Sequence, residues 1–238
     1  MRLTMTGMTW RPSSFALFPG RCLLCGRPSG RPLDLCAGCD GALPRLTSAC
    51  HRCALPLPVP GTCGRCLRQP PPFDASIVSC HHAHPVDHMI HRLKYSGDLA
   101  QAGVLATLLA TRVREGSAPL PEALVPVPLH WRRLLTRGFN QALELALPLG
   151  RALGIPVRDR LVVRERATPP QVGLSRELRR RNLSAAFGVR PGPLPGHLAL
   201  VDDVVTSAST VAALAGCLRR AGVARIEVWA VARAGLAK

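Results

Sequence analysis

Short apolar runs alternate with longer amphipathic stretches from Asp74 to the end of the chain. Asp98 is placed to cap the first long helix, and Gly116, Gly154 and Gly222 stand where the helices should stop. Strands followed in turn by helices are typical of a parallel, doubly wound α/β sheet. The pattern predicts strands at 75–80, 123–128, 155–163, 198–201 and 225–232, and helices at 98–115, 139–153 and 210–221.

The strand at 198–201 opens the run LALVDDVVTSAST, in which Asp202 and Asp203 follow the buried residues directly. Ligands of such sheets bind beyond the carboxyl ends of the strands. Carboxylates accept hydrogen bonds from ribose hydroxyls, and N–H groups at a helix N-terminus hold phosphate. The pattern therefore favours a sugar phosphate over the alternative, an acidic pair that binds magnesium or caps the helix.

The N-terminal part is rich in cysteine. Its Cys-x-x-Cys pairs each place two thiolates on a tight turn, within reach of one zinc ion at about 2.3 Å. One or two structural Zn²⁺ ions are expected, since four thiolates leave no open position. Sequential pairing is favoured, with an interleaved cross-brace as the alternative, and disulfides or a redox pair are less favoured. The ligands would be Cys22, Cys25, Cys36, Cys39, Cys50, Cys53, Cys63 and Cys66.

Proline-rich residues 69–73 (QPPPF) mark a boundary between these two parts. We expect an N-terminal tail at 1–17, a double zinc ribbon at 18–68, the linker at 69–73 and an α/β domain at 74–238. The apolar stretch at 102–110 is shorter than the ~20 residues that cross a bilayer. No secretory h-region is recognisable either, so we expect a cytoplasmic protein without membrane insertion.

The chain carries 31 Lys and Arg against 14 Asp and Glu, a net charge of +17. Such a charge favours polyanionic partners, such as nucleic acid or nucleotides. The alternative is a compositional preference for arginine, because Lys94 and Lys238 are the only lysines. Neither a G-x-x-x-x-G-K-[ST] loop nor a G-x-G-x-x-G fingerprint is present, which argues against the usual nucleotide-binding motifs.

The acidic run resembles the phosphoribosyl-pyrophosphate (PRPP) fingerprint of type I phosphoribosyltransferases. Three further stretches resemble the ComF family (ComFC- or GntX-like proteins of bacterial competence and DNA utilisation). They are HRLKYSGDLA at 91–100, VPVPLHWRRLLTRGFNQALELA at 125–146, and the stretch 168–187 with PPQVGLSRELRRRNLSAAF. The resemblance begins near Phe18 and implies a double zinc ribbon followed by a type I phosphoribosyltransferase domain.

By this resemblance, Asp202 and Asp203 are the catalytic, ribose-binding acids, and Mg²⁺ enters with PRPP. The implied reaction is displacement of pyrophosphate from C1 of ribose, through an oxocarbenium-like transition state that carboxylates and arginines stabilise. The 5′-phosphate loop would be Thr206, Ser207, Ala208, Ser209 and Thr210. The pyrophosphate loop would run over 128–140 with Pro128, Leu129, Arg137, Gly138 and Asn140. A closing flap over 164–187 would bring Arg176, Arg179, Arg180 and Arg181 to the anion.

Ala208 departs from the family pattern, which usually has glycine there, and alanine fits if its φ is negative. Lys94 and Tyr95 are equally consistent with a site wall and with packing. His88 and His91 stand one helical turn apart, where a surface or site-lining role is favoured over sharing a metal ion.

Two functions remain open at this point. One is a phosphoribosyltransferase that uses PRPP and an unspecified acceptor in the handling of internalised single-stranded DNA. The other is a non-catalytic nucleic-acid-binding accessory protein with a sensory or vestigial PRPP pocket. The resemblance also implies competence helicases or recombination proteins as partners.

Overall fold

The computed structural model of the protein describes residues 20–129, 131–164 and 186–235. The chain divides into two compact units, Met1–Leu43 and Pro44–Lys238. The described part of the first unit contains the short helix α1 (Ala37–Gly41) and a bridge between Arg21 and Pro28. Leu35 is its fully buried side chain.

The second unit is an α/β body around a four-stranded parallel sheet, in which the neighbouring strands are in turn Ala75–His81, Arg225–Arg233, His197–Val205 and Ala123–Pro126. This confirms the predicted fold class at the level of a parallel α/β sheet. The strands are β1 (Ala75–His81), β2 (Ala123–Pro126), β5 (His197–Val205) and β6 (Arg225–Arg233), with a separate antiparallel pair β3 (Val162–Arg164) and β4 (Phe187–Val189). The helices are α2 (Gly64–Arg68), α3 (Val86–Ser96), α4 (Ala100–Arg114), α5 (Trp131–Arg137), α6 (Gln141–Leu153) and α7 (Ser209–Arg220).

Apolar and β-branched side chains build the centre of the sheet, where β5 and β6 are almost entirely buried. Helices α4 and α6 pack on each other and on the sheet, and α7 packs against β5 and β4. Helix α6 begins where the Asn140 side chain accepts a hydrogen bond from Ala142 N (3.1 Å), and it ends at Gly154, which has a φ of 71°. Among the described residues, no helix has both the length and the apolar content needed to cross a bilayer.

Three predicted boundaries are wrong in detail. Strand β5 continues past Val201 to Val205, because the acids lie within the ladder and Asp202 pairs with Ala230. The strand predicted at 155–163 is reduced to β3, with one bridge from Val157 to Leu124. Asp98 is not the cap of α4; that helix begins at Ala100, and the Asp98 carboxylate binds Arg92 and Gln101 (both 3.0 Å).

The last four of the eight cysteines in Cys-x-x-Cys pairs belong to the α/β unit. Its segment runs along the edge strand β1, where Leu46 N donates to Ser79 O (2.9 Å) and His81 N donates to Pro44 O (2.8 Å). Cys50 and Cys66 share one buried apolar cluster with Leu200 of β5 and Val211 of α7. This segment therefore covers an otherwise open sheet edge and joins the main core.

Candidate functional site

Two tetrads of cysteine side chains have the geometry of structural zinc sites. In each tetrad the four Sγ atoms lie within 4.8 Å of one another. The distance between Cys25 Sγ and Cys36 Sγ is 3.8 Å, and that between Cys53 Sγ and Cys63 Sγ is 3.7 Å. A tetrahedral ion with Zn–S bonds of about 2.3 Å separates its sulfurs by about 3.8 Å. The first tetrad is Cys22, Cys25, Cys36 and Cys39, and the second is Cys50, Cys53, Cys63 and Cys66.

This grouping confirms sequential pairing, and the interleaved cross-brace is wrong. All eight ligands are free thiols and not disulfides. We call the two groups the first and second cysteine clusters. The donor set suits Zn²⁺, and four protein ligands leave no position for a substrate, so the ions are structural.

Each cluster contains one cysteine that ionises readily. Burial by itself would raise the pKa of Cys22, but hydrogen bonds from the N–H groups of Cys36, Cys25 and Leu24 lower it to about 6. Burial of Cys50 is likewise outweighed by N–H groups, including that of Cys63 (3.3 Å from Sγ), and its pKa falls to about 7. A thiolate is the form that binds metal, so each cluster holds one ligand ready near neutral pH.

The predicted acidic pair lies at the carboxyl end of β5, in the centre of the sheet. Asp203 is buried, and its Oδ2 forms an ion pair with Lys94 Nζ from α3. Burial raises the pKa of Asp202 well above its ordinary value, the neighbouring Asp203 raises it further, and Lys94 partly opposes this. The site thus holds closely spaced carboxylates with one compensating ammonium group.

A cleft of about 410 Å³ opens beside these acids. Lys94 and Tyr95 line one part of it. Arg137 Cζ lies 5.1 Å from the centre of the Tyr95 ring. The other lining residues are Val127, Pro128, Leu129, Arg137, Asn140, Gln141, Ala142, Arg164, Asp202, Asp203 and Thr210.

The segment predicted as a pyrophosphate loop is partly helical. Helix α5 occupies Trp131–Arg137, and Gly138 follows it with a φ of 78°. Besides capping α6, Asn140 donates through Nδ2 to Val127 O (3.2 Å). Its side chain therefore connects the start of α6 to the residue that follows β2. Pro128, Leu129 and Arg137 line the cleft.

The predicted phosphate loop connects β5 to α7. Thr206 and Ser207 are exposed, and Ser207 Oγ lies 2.8 Å from Ser209 Oγ. Ala208 has a φ of +61° and ψ of 9°, so the condition of negative φ is not met. Alanine therefore holds a left-handed conformation that glycine adopts without cost, at the residue that precedes the first turn of α7.

Helix α3, which the sequence analysis missed, carries Lys94 and Tyr95 to the site. Its buried residues Val86, Met89, Ile90 and Leu93 follow helical spacing, which was the available signal. A second cleft of about 680 Å³ adjoins it and is lined by His82, His84, His88 and His91 with Asp87. His88 and His91 thus line a cleft next to α3.

The arginines predicted on the flap, Arg176, Arg179, Arg180 and Arg181, lie outside the described residues. The strands that flank this segment, β3 and β4, pair with Val162 opposite Val189. Arg164, at the end of β3, lies over the Phe187 ring at 5.5 Å and lines the cleft.

Two further arginines near the loop were not singled out from the sequence. Arg65 in α2 donates to Ser207 O at 3.3 Å. Arg233 at the end of β6 is buried and donates to Val205 O at 2.9 Å. No local motif marks either residue, because their partners lie far away along the chain.

Comparison with known proteins agrees with the cysteine geometry and extends over most of the chain. Residues 14–67 match the family described as the double zinc ribbon domain. The DNA utilization protein YhgH of Salmonella typhi is 40% identical over 222 residues, which cover 90% of this chain and 97% of that protein. YhgH of Escherichia coli K12 is 39% identical over 225 residues, with the same coverage. Competence protein F of Haemophilus influenzae is 37% identical over 226 residues, covering 91% and 98%.

Proposed function

Because the chain belongs to the ComF family, we propose that it takes part in DNA uptake and utilisation through a phosphoribosyltransferase-like site that binds PRPP. The relatives are named for DNA utilization and competence, which supports the cellular role. The observation that carries the ligand proposal is the placement of Asp202 and Asp203. They stand at the carboxyl end of a central parallel strand, directly before the loop that opens α7.

The cleft offers complementary groups to each part of PRPP. Asp202 and Asp203 would accept hydrogen bonds from the ribose hydroxyls, since ionised carboxylates have only acceptors. The loop at 206–210 would hold the 5′-phosphate at the N-terminus of α7. Arg137, which lines the same cleft, would face the pyrophosphate.

Magnesium suits this site because carboxylate oxygens and phosphates are its preferred ligands. Asp202 offers a carboxylate at the cleft, and when bound the ion would neutralise charge on the pyrophosphate. The chain's own residues would orient the ribose, and the flap segment would exclude water from C1. Closely placed carboxylates would stabilise positive charge developing on the ribose ring as pyrophosphate leaves.

The proposed DNA role rests on charge. The net charge is +17, and Arg65 and Arg68 are exposed on α2 beside the second cysteine cluster. Aromatic residues make up only 4% of the chain, so contact with phosphates is favoured over base stacking. The competing function, a non-catalytic accessory protein that binds single-stranded DNA, is supported by the same charge.

Calorimetric titration of PRPP with Mg²⁺ into the zinc-loaded full chain tests the ligand proposal. The site variant combines Asp202→Asn with Asp203→Asn. The control combines Asp159→Asn with Glu115→Gln, which removes the same charge at two exposed residues outside the cleft.

We expect binding by the wild type and the control and none by the site variant. Binding that survives in the site variant would place the ligand elsewhere. Absence of binding by the folded wild type would reject PRPP as the ligand and leave the accessory function as the better account.

A further inference from the structure

Arg233 is a buried cation that connects the second cysteine cluster to the predicted phosphate loop. It is 1% exposed. Its Nε donates to the carbonyl of Cys53, a cluster ligand, at 3.0 Å. On the other side, its Nη1 donates to Val205 O at 2.9 Å and to Thr206 O, at the start of the loop. One guanidinium thus bridges a metal-ligand turn and the chain that follows the acidic pair of β5.

Among the described residues, no carboxylate forms an ion pair with Arg233; its acceptors there are backbone carbonyls. A buried charge requires compensation, and arginine does not escape the requirement by losing its proton. Zn²⁺ with four thiolates carries two net negative charges, which makes the loaded second cluster the adjacent counter-charge.

The bridge also fixes the orientation of the loop. A trans peptide is planar, so the N–H of one residue points away from the carbonyl of the residue before it. Arg233 holds the carbonyls of Val205 and Thr206, and Arg65 holds that of Ser207. The N–H groups of Thr206, Ser207 and Ala208 therefore point away from the cysteine cluster, immediately before α7. Successive N–H groups of this kind form an anion-binding concavity.

We propose that Arg233 is a positioning residue that makes the second cysteine cluster part of the phosphate-binding apparatus. Zinc in this cluster orders the loop at 206–210 through Arg233, whereas zinc in the first cluster does not. The phosphate ligand in this proposal rests on the proposed PRPP function, but the ordering of the loop does not. The second cluster is then a support for ligand binding as well as for folding.

Hydrogen exchange of loop amides in the full, zinc-loaded chain tests the coupling without any ligand. Cys66→Ser disables the second cluster, and Cys39→Ser is the matched change in the first. Arg233→Lys keeps the charge but removes the fork of donors, and zinc content is measured for every variant. Exchange at 198–201, in the buried centre of β5, reports whether the sheet has stayed folded.

We expect Cys66→Ser and Arg233→Lys to speed exchange of the amides that the loop holds in hydrogen bonds by about tenfold or more. These are Ser209 N, which donates to Ser207 Oγ (3.4 Å), and Ala212 N, which donates to Ala208 O (2.9 Å). Cys39→Ser should leave these amides unchanged. Equal effects of the two cysteine variants, or an unchanged loop in Arg233→Lys with both zinc ions bound, would overturn the proposal. If Cys66→Ser unfolds the sheet, Arg233→Lys decides the matter alone.

PRPP titration of the same variants tests whether the ordering of the loop affects ligand binding. Affinity should fall by about tenfold or more in Arg233→Lys and stay at the wild-type value in Cys39→Ser. A wild type that does not bind PRPP would reject the proposed ligand, while the exchange result would still decide whether the second cluster orders the loop. The two failures are therefore distinguishable.

Discussion

The ammonium group of Lys94 in helix α3 forms an ion pair with the carboxylate of Asp203 in strand β5. The side chains are 23% and 10% exposed, so water screens the pair only partly. This contact joins the helix that forms one wall of the cleft to the strand that carries the acids. It also supplies the positive charge that lets two adjacent carboxylates coexist in a poorly hydrated site.

Lys94→Met leaves Asp203 without its counter-charge. We expect the free energy of unfolding at pH 7.5 to fall by about 1–3 kcal/mol, measured by urea denaturation with zinc present. Lys94→Arg should recover part of the loss because it restores the charge. Equal stability of Lys94→Met and the wild type would show that the ion pair contributes nothing to folding.

Asp202→Asn should stabilise the ligand-free protein at neutral pH. The folded-state pKa of Asp202 lies above the value of about 3.9 in an unfolded chain, so the folded state binds its proton more tightly. That contribution is present in full below the unfolded pKa and is lost as pH rises through the raised pKa.

The stability difference between Asp202→Asn and the wild type should therefore grow with pH. Urea denaturation of both proteins from pH 5.5 to 8 measures it, and zinc-dependent effects are common to both. A difference that shrinks as pH rises would contradict the raised pKa.

Ala208→Gly should relieve the left-handed backbone at the end of the loop. Alanine there costs about 1–2 kcal/mol, and the greater freedom of glycine in the unfolded chain returns about 0.5–1 kcal/mol of this. We expect a net gain of about 0–1.5 kcal/mol in thermal denaturation. Ala208→Val should destabilise, because a β-branched residue at positive φ is strained. Stabilisation by valine would refute the assigned conformation.

Glu227→Ala should be among the more damaging single changes. The Glu227 side chain is buried and accepts from Trp229 Nε1 (2.9 Å) and Arg225 Nη2 (2.8 Å), and it pairs with His197 Nε2 (3.2 Å). Its removal leaves these donors without an acceptor and should lower the free energy of unfolding by about 3–5 kcal/mol. Glu227→Gln keeps an acceptor and should cost less. Denaturant midpoints of the two variants measure the order, and equal losses would argue against hydrogen bonding as the cause.

Binding to single-stranded DNA should weaken linearly on a plot of log affinity against log salt. Arg68→Gln, an exposed change on α2, should reduce the slope by about 0.7 if that residue contacts one phosphate. Arg151→Gln, also exposed but on α6, is the control and should leave the slope unchanged. Fluorescence anisotropy with a labelled oligonucleotide gives both slopes. Salt-independent affinity would exclude phosphate contact as the main source of binding.

The features predicted well from the sequence depend on the spacing of residues that are close together in the chain. The Cys-x-x-Cys turns specify their own metal tetrads, and the apolar run before Asp202 specifies a central strand with acids at its carboxyl end. Helix α3 could also have been predicted, because Val86, Met89 and Leu93 follow helical spacing.

The contacts that the sequence could not reveal are long-range. Arg233 meets Cys53 across 180 positions of the chain and Val205 across 28, and a lone arginine at a strand end carries no sign of either partner. The sign of φ at Ala208 also depends on how β5 and α7 meet. A local pattern indicates a loop there but does not choose the conformation of one residue within it.

The match to the double zinc ribbon domain covers residues 14–67, yet the boundary between the two compact bodies falls at Leu43 and Pro44, inside that match. Residues that match one domain family are thus divided between two compact units. A truncated chain that starts after the ribbon, at 69, would discard part of the sheet's own hydrophobic core, whereas one that starts at Pro44 would keep that core whole. In a gene fusion or a domain exchange, the natural cut therefore lies between the two halves of the ribbon.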